Sequence, residues 1–131
     1  MSELKSILLK EIAAHGPISV AAYMRRALTD PTHGYYMQRR PFGAADQDGG
    51  DFITAPEVSQ IFGELLGAWM ADLWQRMGAP ATINLVELGP GRGTLMADML
   101  RAASVLPAFT ETAKVHFVEV SPTLRALQKQ A

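Results

Sequence analysis

The sequence predicts an α/β chain: a helical N-terminal segment followed by the first βαβ unit of a Rossmann-like sheet. Three observations carry this. Ile83-Asn84-Leu85-Val86-Glu87-Leu88 is a short apolar run that suits a buried parallel strand. Gly89, Gly91 and Gly93 follow at alternate positions, and Leu95, Met96, Met99 and Leu100 then fall at helical spacing. Lys114-Val115-His116-Phe117-Val118-Glu119-Val120 supplies a second strand of the same kind, β-branched and ending near a single acid. Strand, glycine turn and helix open a nucleotide-binding βαβ unit.

The bulk numbers fit that class. The chain has 131 residues, the size of one ordinary domain, with 48% hydrophobic and 19% charged residues, so it is globular rather than disordered. A net charge of −1 argues against a general affinity for nucleic acid. Without cysteine there is no disulfide framework and no thiolate nucleophile or thiolate metal site. The N-terminus has no signal-peptide core, and no apolar run is long enough to insert in a bilayer, since Gly63, Glu64, Gly67 and Asp72 interrupt the richest stretch. The simplest location is the bacterial cytoplasm.

We divide the chain at residue 80 into an N-terminal helical segment (1–80) and the start of the Rossmann-like domain (81–131). Residues 2–15 read as a helix with Leu4, Ile7, Leu8 and Ile12 on one stripe, stopped by Gly16-Pro17. A second helix starts at Ser19 as N-cap and runs to about Leu28, ahead of Asp30-Pro31. These two helices read as a packing or docking module, with Arg25 and Arg26 on a solvated face. Gly34-Tyr35-Tyr36 reads as a short strand or a cover over the site, and His33 as structural. In the loop 41–51, Asp46 and Asp48 do not make a calcium loop: Gly50 replaces an oxygen ligand, and Asp51 stands where the sharp turn needs glycine. No metal site is predicted.

Thr54-x-x-Glu57, with Pro56, reads as a capping box opening the strongest helix of the chain. Val58, Ile61, Phe62, Leu65, Leu66, Trp69, Met70, Leu73, Trp74 and Met77 keep its period and are expected in the core. Gly63 and Gly67 allow close backbone packing. After Gly78-Ala79-Pro80 come the glycine-turn strand, its helix to about Ala103, a loop containing Pro107, the second strand, and an element capped by Ser121-Pro122.

The glycine turn carries the chemistry. Glycine permits φ > 0 and a close backbone approach to a ligand, and the helix N-terminus behind it offers free N–H groups. Glu87 at the strand tip would repel a phosphate-rich ligand and suits one with positive charge or with amino and hydroxyl donors. Glu119, at the tip of the second strand, stands where an acid accepts hydrogen bonds from ribose hydroxyls. A dinucleotide would use an acid there too. Its fingerprint, however, places the third glycine where Thr94 stands.

Glu87-Leu88-Gly89-Pro90-Gly91-Arg92-Gly93-Thr94 resembles the first motif of class I S-adenosylmethionine-dependent methyltransferases. Gly50-Asp51-Phe52-Ile53-Thr54-Ala55-Pro56-Glu57-Val58-Ser59-Gln60-Ile61-Phe62-Gly63-Glu64 is similar to a signature of the MidA-like family, as are Gly34-Tyr35-Tyr36 and Val118-Glu119-Val120-Ser121-Pro122. The resemblance runs from near Ile18 to the C-terminus. It implies a Rossmann-like methyltransferase using S-adenosyl-L-methionine. It also implies a protein arginine side chain as acceptor, in the family's mitochondrial member linked to respiratory complex I assembly, with a mitochondrial-matrix location if the source is eukaryotic. Gly89, Gly91 and Gly93 would let the backbone approach the cofactor, Glu87 would face its amino-acid end, and Glu119 would hold the ribose. Thr54 and Asp51 would line the pocket from the N-terminal side. Asp51 reads equally well as a turn aspartate; it is also the one candidate catalytic carboxylate for orienting a guanidinium and taking its proton.

Family members are longer, and a class I sheet has more strands than the two found here. The chain therefore reads as the N-terminal part of a larger protein, with no complete active site and with a free edge on the first strand that could pair with another chain. Two other functions stay open: an NAD-linked oxidoreductase, and a non-enzymatic assembly or scaffold protein that keeps the fold.

Overall fold

The computed structural model describes residues 3–38 and 52–129. The chain divides into two compact units, Met1–Pro41 and Phe42–Ala131. Asp46, Asp48, Gly50 and Asp51 lie outside the described residues.

In the first unit, α1 (Glu3–His15) and α2 (Val20–Thr29) form where the apolar period and caps place them. Gly16, at φ 88°, ends α1 by donating its N–H to the Ile12 carbonyl at 2.8 Å. Ser19 caps α2, its hydroxyl accepting the Ala22 N–H at 3.1 Å. Leu8 is the buried member of the α1 stripe. Arg26 is not a solvated arginine. Its guanidinium lies between Glu11 at 3.2 Å and Asp30 at 3.5 Å, tying the two helices and the end of α2 together. Asp30 also accepts the N–H groups of Thr32 and His33, so His33 sits in a turn built by its backbone. Tyr35-Tyr36 is not a strand: it opens a one-turn helix, α3 (Tyr35–Gln38), with the two rings edge to face at 5.0 Å.

The second unit packs helices on one face of a two-stranded parallel sheet. Strand β1 (Ile83–Leu88) pairs with β2 (Ala113–Val118), in register from Ile83–Ala113 to Leu88–Val118. The Gly89 N–H continues the ladder to the Val118 carbonyl at 2.9 Å. β1 is not buried on both faces. Its exposure alternates, with Leu85 inside and Asn84, Val86 and Leu88 outside, because the helices of this unit cover one side among the described residues. Leu85 joins Ala71, Trp74, Met96, Ala103 and Phe109 in the core. Phe109 comes from α7 (Pro107–Thr112), a short helix where the sequence suggested only a loop, and packs edge to face on Trp74 at 5.9 Å.

The long helix expected after Thr54 is two helices. α4 (Ala55–Val58) stops at Ser59, which is extended at φ −156°, ψ 127°, and α5 (Gln60–Arg76) restarts with the Ser59 hydroxyl as its N-cap. The face of α5 that is buried carries Gly63, Gly67, Ala71 and Trp74. Ile61, Phe62, Leu65 and Trp69, expected inside, are exposed. The small residues win because α6 (Thr94–Ala103) lies against them at backbone distance. A Cβ on Gly67 would collide with the Met99 carbonyl, and one on Gly63 would come within 2.6 Å of the Asp98 Cβ. Arg101 of α6 then reaches Glu64 and Asp98, bracing the pair from outside. No helix among the described residues is long and apolar enough to cross a membrane.

Candidate cofactor site

The glycine turn adopts the backbone its residues allow. Gly89, Gly91 and Gly93 have φ of 66°, 56° and 86°, a region that side chains disfavour. Pro90 between them accepts the Gly93 N–H at 2.8 Å, which closes the turn directly ahead of α6, whose first N–H groups have no partner within the helix. At Gly89 an added Cβ would find nothing within 4 Å, so the turn leaves open space beside it. At Gly93 the Phe117 ring stands 3.6 Å from where a Cβ would be; Gly93 closes the turn from within rather than lining the opening.

A cleft of about 200 Å³ lies here, lined by Thr54, Pro56, Glu57, Glu87, Gly89, Pro90, Gly91, Arg92, Thr94 and Leu95. Four of the residues singled out in the sequence thus share one wall system: Thr54, Glu87, Gly89 and Gly91. Thr54 does not act as the helix cap its pattern suggested. Its hydroxyl makes no capping bond, and its carbonyl takes the Glu57 and Val58 N–H groups instead.

Glu87 is the feature of the site that asks for a partner. Strand alternation puts it on the same face as Leu85, so its side chain turns toward the covered side of the sheet. Its Oε2 is buried and has no hydrogen-bond partner, and burial pushes its pKa above the ordinary 4.5. A cation or an amino group placed against this oxygen would relieve that cost.

Glu119 sits one residue beyond β2, at the strand end beside the glycine turn, because Val118 pairs with Leu88 and takes the Gly89 N–H. It does not line the cleft. One carboxylate oxygen accepts the Ser121 N–H at 2.7 Å, and Ser121 in turn caps α8 (Pro122–Gln128) as its sequence predicted. From the far end of α8, Gln128 donates to the Gly91 carbonyl at 2.7 Å and pins the middle of the turn. Asp51 lies outside the described residues, so its place relative to the cleft is not part of this geometry. Among the described residues, no cluster of acids and histidines could hold a metal ion.

Sequence reasoning missed Glu57 and Arg92 as members of the site. Glu57 was assigned to a capping box. Its carboxylate instead accepts the Thr94 hydroxyl at 2.8 Å and the Arg92 guanidinium at 2.9 Å, across 37 and 35 residues. The Arg92 bond above all holds the Glu57 carboxyl below its usual range; burial opposes it, and the Thr94 bond adds a lesser lowering. Arg92 stands inside the glycine turn, but nothing in the spacing names the acid that meets it.

Comparison with known proteins agrees with this geometry. The profile of a family described as "Putative S-adenosyl-L-methionine-dependent methyltransferase" matches residues 65–131. The chain is 53% identical over 125 residues to the mitochondrial protein arginine methyltransferase NDUFAF7 homolog of Drosophila melanogaster, covering 94% of this chain and 27% of that relative. It is 48% identical over 123 residues to the human mitochondrial protein arginine methyltransferase NDUFAF7, covering 92% of this chain and 27% of the relative. The fold is similar to that of a "likely methyl transferase" from Burkholderia thailandensis, crystallised with S-adenosyl-homocysteine. The TM-score is 0.80 at 36% identity, over 97% of this chain and 32% of the other. The chain thus spans between a quarter and a third of the length of these relatives. With the glycine turn, the parallel strand pair and the profile match over half its length, it belongs to the MidA-like family of S-adenosyl-L-methionine-dependent methyltransferases.

Proposed function

We propose that this chain holds S-adenosyl-L-methionine for the methylation of arginine side chains on a protein substrate. The observation that carries the reading is the buried, partnerless oxygen of Glu87 beside the open space at Gly89. A cofactor whose amino-acid end bears an ammonium group supplies what that oxygen lacks. Gly89 and Gly91 let the backbone come close to it, Gly93 completes the turn, Thr54 forms the opposite wall, and Glu119 at the neighbouring strand end takes the ribose hydroxyls. The sulfonium methyl of the bound cofactor is already activated, so the protein's share of the work is to hold the acceptor in line with it. A guanidinium acceptor needs a carboxylate to orient it and accept its proton, and Asp51 is assigned that part from the sequence alone.

The names of the relatives extend the reading. They are mitochondrial protein arginine methyltransferases, which supports a protein as the acceptor's carrier and the mitochondrial matrix as the location of a eukaryotic protein. A bacterial protein of this kind would work in the cytoplasm. A subunit of respiratory complex I is the substrate we propose, by the resemblance stated above.

Calorimetric titration with S-adenosylhomocysteine and with NAD tests the cofactor. Binding of the first, its loss in Gly91→Val, and no binding of NAD are expected. NAD binding alone would overturn the reading in favour of an oxidoreductase. Cofactor binding without methyl transfer to arginine-containing protein, in a polypeptide of the relatives' full length, would favour a scaffold that keeps the fold.

A further inference from the structure

The α4 wall of the cleft has little of its own to hold it. It is four residues long, its Thr54 makes no side-chain cap, and it ends where Ser59 turns extended. Yet Thr54 and Pro56 line the same cleft as Glu87 and Gly91. One carboxylate bridges the two sides. Glu57 Oε1 accepts the hydroxyl of Thr94, the first residue of α6, and Oε2 accepts from Arg92 inside the glycine turn. The carboxylate is largely covered, with 17% of the side chain exposed, while the Arg92 side chain is 49% exposed. The more covered member of the pair therefore holds the more exposed one.

We propose that Glu57 is a positioning residue for the amino-acid end of the cofactor cleft, acting through Arg92 and Thr94. The inference rests on the cofactor reading above. Three things point to this end of the cleft. Glu87, whose oxygen seeks a cation, lines it. Arg92 places a guanidinium on its rim, where a ligand carboxylate would meet it. Glu119, the ribose acid, does not line it. Glu57 is then the tie that sets the distance between the Thr54 wall and the turn, and that orients Arg92. Its charge matters as well as its shape, because Arg92 is held as an ion pair and Thr94 as a hydroxyl donor. A neutral amide of the same size would keep the packing and weaken the hold on the guanidinium.

The test is calorimetric titration of the chain with two ligands. S-adenosylhomocysteine carries the amino-acid end; 5′-methylthioadenosine has the nucleoside and the sulfur but lacks it. Glu57→Gln should weaken S-adenosylhomocysteine about ten-fold while changing 5′-methylthioadenosine less than about two-fold, a ratio near 1.4 kcal/mol in the first and close to nothing in the second. The double variant Glu57→Gln with Arg92→Met should weaken S-adenosylhomocysteine by clearly less than the two single losses multiplied, since part of the Glu57 effect runs through Arg92 and the rest through Thr94. Equal weakening of both ligands would make Glu57 a general support of the fold and overturn the proposal, as would unchanged binding of S-adenosylhomocysteine. If Glu57→Gln does not fold, Arg92→Met, which alters the exposed member of the pair, carries the same two-ligand discrimination by itself. A well-folded wild type that binds neither ligand would overturn the cofactor reading itself, and the role of Glu57 with it.

Discussion

Two regions of the second unit depend on glycine for opposite reasons. Between α5 and α6, Gly63 and Gly67 remove space: the helices touch where side chains would stand, and a Cβ on Gly67 has the Met99 backbone in its way. At the turn after β1, Gly89 creates space: nothing lies within 4 Å of where its Cβ would be, and what glycine supplies is a φ of 66°. One region is closed by the absence of side chains and the other is opened by it. Stability collects in the first. The second holds a carboxylate without a partner, the kind of local cost that function requires.

The sharpest way to break this comparison is the same substitution in both places. Gly67→Ala should destabilise the protein by about 3 kcal/mol in urea unfolding, because the obstacle is backbone that cannot rotate away. That loss would stand even after the roughly 1 kcal/mol that alanine gains over glycine within a helix. Gly89→Ala, with open space around it, should cost only the left-handed conformation, about 1 kcal/mol. Equal losses, or the reverse order, would sink the distinction.

Glu87→Gln sharpens it further. Removing a half-buried charge with one unpaired oxygen should stabilise the protein at neutral pH by no more than about 1 kcal/mol after solvent screening, while weakening S-adenosylhomocysteine. The pH dependence has a definite sign. The folded-state pKa of Glu87 is raised, so its favourable contribution is full in acid and is lost as pH rises through the folded value. The advantage of Glu87→Gln should therefore shrink in acid. Glu57 runs the other way. Its folded pKa is lowered, so its contribution is present above 4.5 and disappears as pH falls through the folded value. Melting curves of wild type, Glu87→Gln and Glu57→Gln across that range should diverge in opposite directions. The Glu57 effect should be the smaller, under about 1 kcal/mol, since its arginine partner is half exposed.

The parts of the fold that were legible in the sequence are those that local chemistry dictates. Gly89, Gly91 and Gly93 permit the left-handed backbone the turn needs, and Ser19 and Ser121 cap helices because their hydroxyls reach the N–H three residues on. What was not legible depended on distant partners. Thr54-x-x-Glu57 has the spacing of a capping box, but Glu57 is drawn away by an arginine and a threonine from another element. α5 carries a large apolar arc and a small-residue arc, and periodicity does not say which one a neighbour will cover. The approach of α6 decided for Gly63 and Gly67, leaving Ile61, Leu65 and Trp69 outside. Proline at the start of α7 marked a break in the sequence but served as a first-turn residue, because Phe109 behind it had a place in the core beside Trp74. The site was read through its glycines and Glu87. The second wall needed the fold.

The division of the chain at Pro41 also sorts its fluorophores. Tyr23, Tyr35 and Tyr36 all lie in the first unit, and both tryptophans, Trp69 and Trp74, lie in the second. Trp74 is sealed beside Phe109 with its indole N–H on the Pro80 carbonyl at 3.0 Å, while Trp69 faces solvent. Emission excited at the red edge thus reports one unit alone, with a blue-shifted, quencher-resistant component from its core and a red-shifted, iodide-sensitive one from its surface. No label has to be introduced to follow the unfolding of that unit.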